Sequence, residues 1–154
     1  MKHAITVIMV VLSLLSFETS AYAQLRKSSE TEKIKSFTNG SVILFKTTIE
    51  DIELYAVTLP NANSRLFDDV VLWLGNKEEM LQNLKDFNAA LENGKKGESF
   101  DFSANGQSYH LLYHKVLGQV CFRVFEEIST SEDYGSLFQA TIVDIIEFIE
   151  GINK

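Results

Sequence analysis

Cysteine, proline and positive charge are all scarce in this chain. Cys121 is the only cysteine and Pro60 the only proline among 154 residues, and 14 Lys plus Arg stand against 21 Asp plus Glu, a net charge of −7. A single thiol excludes a disulfide-built scaffold and any intrachain bridge. One proline with 8 glycines excludes collagen-like and linker sequences, and 11 phenylalanines exclude a disordered acidic tail. The shortage of positive charge argues against nucleic acid or an anionic membrane surface as partner, because both are held by clustered Lys and Arg. The one basic cluster, Arg26, Lys27, Lys33 and Lys35, is interrupted by Glu30 and Glu32 and reads as a solvated arm. Long apolar runs are lacking too. Ala4 to Leu15 is an unbroken apolar or small run of 12 residues, whereas a helix spanning a bilayer needs about 20.

What is present near the N-terminus has the form of an export signal. Met1, Lys2 and His3 make a basic start, the apolar run follows, and Ala21-Tyr22-Ala23 offers small residues at the two positions that a signal peptidase inspects. Residues 1–23 are therefore expected to be a signal peptide cleaved before Gln24, residues 24–38 a polar arm, and residues 39–154 a single domain, periplasmic or extracellular. No cysteine directly follows the run to accept a lipid, so no stable membrane anchor is expected. Cleavage would leave 131 residues, enough to bury roughly two-thirds of the surface of the unfolded chain without disulfides. Cys121, within Val120-Cys121-Phe122, reads as a small buried hydrophobe.

The patterning predicts an α+β fold: an antiparallel sheet of about six strands, in the order βββα-βββα, with two helices packed on it. Val42 to Phe45 and Ile52 to Val57 are β-branched and aromatic runs around a polar turn at Glu50 and Asp51. Pro60 to Ser64 is a loop, and Val70 to Leu74, apolar on both faces, is expected to lie centrally. A helix follows with Asn76 as N-cap, Glu79 as its capping-box partner, Met80, Leu84, Phe87 and Leu91 on one face, and Gly94 as the stop. Phe100 to Ser103 and Ser108 to Leu111 alternate around Asn105-Gly106, the pair that a type I′ turn requires. A third strand, Val120 to Phe125, returns after Gly118, and a second helix is expected from about Glu132 to Glu150, ended by Gly151. Its apolar stripe of Phe138, Ile142, Ile145 and Ile149 is widened by Leu137, Ile146 and Phe148. Gly94 and Gly151 lie 57 residues apart, but no residue-by-residue repeat accompanies that spacing.

The two-residue turn pairs Phe102 with Tyr109, Phe100 with Leu111, and Asp101 with His110. One face then holds Phe100, Phe102, Tyr109, Leu111 and Tyr113; the other holds Asp101, Ser103, Ser108, His110, Leu112 and His114. If Tyr113 meets Cys121 on the next strand, Val120, Phe122 and Val124 join this second, mixed face. Asp101, His110, Leu112, His114, Val120, Phe122 and Val124 are therefore one candidate binding surface, for an unknown protein or a small apolar ligand. The wide side of the terminal helix, Leu137, Ile146 and Phe148, is another, suited to a homodimer.

Other chemistries lack their residues. His110 and His114 on one strand lie roughly 13 Å apart, too far to share a zinc ion that each must approach to about 2.1 Å, so no metal is expected. Asp101, His110 and Ser108 or Ser103 have the residue types of a hydrolase triad, but no Gly-x-Ser-x-Gly elbow exposes either serine. The adjacent acid pairs Glu50 with Asp51, Asp68 with Asp69, Glu126 with Glu127 and Glu132 with Asp133 read as solvated. No glycine-rich run forms a phosphate cradle, and no cofactor is indicated. Asn39-Gly40-Ser41 fits a glycosylation acceptor, incidental in the bacterial setting that the signal suggests. The expectation is an exported, non-catalytic binding domain, with a hydrolase or a carrier of an apolar ligand between sheet and terminal helix as rivals.

Overall fold

The computed structural model describes residues 30–62, 69–127 and 133–152. The expected signal peptide, the start of the arm, Asn63, Ser64, Asp68 and Glu132 lie outside the described residues. Among the described residues the fold is α+β, with eight strands in two four-stranded antiparallel sheets and two α-helices. The expected single sheet of about six strands is thus corrected in number and division, while its class stands.

The first sheet runs β1 (Glu30–Phe37), β2 (Val42–Ile49), β3 (Ile52–Leu59) and β4 (Val70–Gly75) in spatial order. Helix α1 (Lys77–Asn93) follows. The second sheet repeats the plan with β5 (Ser99–Ala104), β6 (Gln107–Val116), β7 (Gln119–Glu126) and β8 (Gly135–Phe138), and α2 (Gln139–Glu150) ends it. Each half is therefore a four-stranded meander and a helix. In both, the strand missing from the sequence reading is a terminal one. β1 lies in the expected polar arm, where a charged edge strand lacks alternation, and β8 falls within the expected second helix because its four residues run directly into α2. Leu137 accordingly sits on a strand, fully buried, and not on the terminal helix.

Local chemistry accounts for the elements that were legible. Asn76 Oδ1 accepts from the backbone N–H of Glu78 and Glu79 at 3.0 Å each, and Glu79 Oε2 accepts from Asn76 N–H at 2.8 Å, closing the capping box. Met80, Leu84, Phe87 and Leu91 are buried as one face of α1. Gly151 takes a left-handed conformation, with its N–H donating to Phe148 O and the N–H of Ile152 donating to Glu147 O, a Schellman ending. Asn105 and Gly106 both have positive φ, and the pairs Phe102 with Tyr109, Phe100 with Leu111 and Asp101 with His110 follow.

Both helices and the inner faces of both sheets share one core. Leu44, Val57 and Leu72 face inward from the first sheet, Leu111, Phe122 and Val124 from the second, and Leu84, Ile142 and Ile145 from the helices. Phe87 of α1 sets its ring edge-on against Phe102 and Phe122, with centroids 4.9 and 5.9 Å away. Where the sheets meet, Gly135 bridges to Asn61, and a Cβ on it would collide with the side chain of Leu59. The exposed edge of β4 is closed by side chains of the second sheet: Tyr109 hydroxyl accepts from Trp73 N–H at 3.0 Å and donates to Val71 O at 2.9 Å, while Glu126 accepts from Val71 N–H at 3.3 Å. β4, expected centrally, is an edge strand made tolerable by these contacts.

Candidate functional site

The outward face of the second sheet carries His110 and His114, and the strand register decides which side chains join them. Leu117 and Gly118 form a two-residue turn, both with positive φ, so Val116 pairs with Gln119 and Tyr113 with Phe122. The expected partner of Tyr113 was Cys121. A one-residue change of register moves every side chain of β7 to the other face, so Val120, Phe122 and Val124 point into the core and leave the candidate surface. Phe122 and Val124 are buried there, and Val120 packs on the cluster. The signal was obscured because leucine is a poor left-handed residue, so Leu117-Gly118 does not announce a type I′ turn as Asn105-Gly106 does.

Cys121, Arg123 and Phe125 take their place beside Asp101, His110, Leu112 and His114. His110 Nδ1 lies 3.0 Å from Asp101 Oδ1, and its ring stands 6.5 Å from that of Phe125, which in turn lies 5.4 Å from Tyr134. The Arg123 guanidinium stacks over Tyr134 at 4.8 Å and donates to His114 Nε2 at 2.9 Å. That donation requires a neutral imidazole with its proton on Nδ1. Burial, with the charges of Arg123 and Lys96, accordingly pushes the His114 pKa below the ordinary histidine value. A continuous row of touching aromatic and ionisable groups thus crosses the sheet on the side away from the core. Cys121 lies on this side yet is fully buried, and burial raises its thiol pKa, which makes it a poor nucleophile.

The triad residues are brought near one another without being connected in series. Ser103 and Ser108 pair hydroxyl to hydroxyl at 3.0 Å, one row along from the Asp101 and His110 pair. Adjacent same-face rows are about 7 Å apart along a strand, and each serine already has the other as partner. An open cavity of about 390 Å3 does lie over these residues, with Glu127 also in its lining. The Asp101 side chain is 94% exposed, so water screens its hold on the imidazole. Among the described residues, no three His, Cys, Asp or Glu converge as metal ligands, and no helix is long and apolar enough to cross a membrane.

The terminal-helix candidates are used inside the chain. Phe148 meets Phe37 of β1 edge-on at 6.1 Å with Lys35 Nζ 4.3 Å over its ring, and Ile146 packs against the core. Part of the helix width that suggested a second subunit is therefore accounted for by β1, the strand hidden from the sequence reading. Beside it lies a groove of about 240 Å3 between the first sheet and both helices, lined by Leu44, Tyr55, Met80, Phe148, Ile149 and Lys77 among others.

A further surface escaped the sequence reading. Ile43, Phe45, Leu54, Ala56, Val71 and Trp73 all project from the outward side of the first sheet, opposite the core-facing Leu44, Val57 and Leu72. The signal for it was legible, since Val42 to Phe45, Tyr55 to Val57 and Val70 to Leu74 are each apolar at successive positions. Comparison with protein-family models, with curated proteins and with solved structures found no match.

Proposed function

We propose that this protein is an exported, non-catalytic interaction domain that holds a protein partner on the outward face of its second sheet. The observation that carries the reading is the row Asp101, His110, Phe125, Tyr134, Arg123 and His114, whose members fix one another on a face turned from the core. Side chains already ordered in the free protein lose little freedom on binding, and aromatic and arginine groups are those that carry most interface energy. Leu112, at the centre of the sheet, supplies an apolar contact among them. Turnover assays with ester and peptide substrates test the non-catalytic part. The expected result is no turnover above the uncatalysed rate; turnover that disappears in His110→Ala contradicts it and favours a hydrolase.

The groove between the first sheet and α2 supports a second reading, a carrier of a small apolar molecule. Its volume is near the lower end of ligand sites, which run from roughly 300 Å3, so only a short chain or single ring fits. Native mass spectrometry of protein purified without detergent is expected to show a retained small molecule on this reading, and the bare chain mass contradicts it.

A further inference from the structure

We infer that the outward face of the first sheet is where two copies of this chain pack, sheet against sheet, about a two-fold axis. Both helices pack on the inner side, yet β2, β3 and β4 carry apolar side chains outward as well as inward. Phe45, Ala56 and Trp73 form one cross-strand row. Strands two apart lie about 9.6 Å from each other, whereas the rings of Phe45 and Trp73 meet edge-on at 5.8 Å. The two rings therefore lean over Ala56, which is fully buried, and make a low aromatic roof at the centre of the face. Ile52 stands 58% exposed at the end of β3.

Two arguments select a second copy as the occupant. The first is charge. The chain carries −7 overall, and copies repel wherever acidic surfaces meet, but the outward positions given by the registers of β2, β3 and β4 hold no charged residue. On β1 the outward positions are Thr31, Lys33 and Ser36, so the single charge is a lysine at the sheet edge. The second is area. Four strands about 4.8 Å apart, each about 25 Å long, present roughly 500 Å2, and two such faces reach about 1,000 Å2, where specific interfaces begin. Aligned sheets pack about 10 Å apart with interdigitating side chains, a geometry that a flat apolar face with an aromatic ridge can enter.

Sedimentation equilibrium over 1 to 500 μM tests this, with fluorescence as a second readout because Trp73 is the only tryptophan. The expected result is a mass that rises from monomer to dimer with concentration, a blue shift of Trp73 emission over the same range, and association weakened at least tenfold in Ile52→Glu. That variant alters an exposed position and leaves the aromatic roof intact, and an unchanged circular dichroism spectrum verifies its fold. A monomer at every concentration, or a dimer indifferent to Ile52→Glu, overturns the inference. Neither outcome touches the proposal for the second sheet, whose outward face is a different surface.

Discussion

At the scale of single residues, backbone strain and protonation give the sharpest expectations. Leu117 is wholly exposed, makes the tip of the β6–β7 hairpin and has a φ of 49°. A left-handed conformation costs an ordinary residue roughly 1–2 kcal/mol, and asparagine adopts it more readily. Leu117→Asn should therefore raise stability by about 1 kcal/mol in urea denaturation with an unchanged m-value; a loss of stability would contradict the turn geometry. His114 gives the opposite kind of test. Its folded pKa is depressed, so the unfolded chain takes up protons more readily. Stability is then unaffected by this group above the unfolded value of about 6.5 and falls as pH drops from there through the folded pKa. His114→Gln removes that decline, and the gap in melting temperature between variant and wild type should grow between pH 7 and pH 5. A gap constant with pH would mean that burial and the neighbouring Arg123 do not hold the imidazole neutral.

Secondary elements differ in how clearly the sequence announces them, and the difference is physical. α1 has its cap, its stripe and its stop within the segment itself, and it forms where expected; Asn76→Ala should cost about 1 kcal/mol, measured by thermal or urea unfolding, since it frees two backbone donors. A cost near zero would show that Glu79 and water suffice. The β5–β6 hairpin is equally local, because Asn105-Gly106 sets its register. β1, β8 and the β6–β7 register depend on partners distant in sequence. Glu30 to Phe37 becomes a strand because β2 offers an edge and Phe37 reaches Phe148; the run of charges on β1 then blunts the free side of the same sheet. Gly135 is required because β8 passes directly over Leu59. Gly135→Ala should destabilise by about 1–3 kcal/mol through overpacking, and a neutral result would show that the sheets can separate there. The candidate site shared this split: Asp101, His110, Leu112 and His114 were placed by one local turn, whereas Arg123 and Phe125 depended on the less legible turn at Leu117.

At the scale of the whole molecule, the described residues form two four-stranded meanders with a helix each, which enclose one core and leave two outward sheet faces of unlike chemistry. The first is apolar and nearly uncharged, which suits a like copy. The second presents ordered aromatic, histidine and arginine groups, which suits a different partner, and Asp101 and His110 belong to that surface without a serine in relay. An acidic chain with a single buried cysteine builds all this from packing alone. The central claim is that the second sheet is a docking face. The most direct measurement places a photo-reactive amino acid at Leu112 in the full chain expressed in its native cell, with Asp86 on the exposed side of α1 as the control position. The account predicts a discrete cross-linked product from Leu112 that is lost on adding Arg123→Glu, and none from Asp86. Equal products from both positions, or none from Leu112, would contradict it.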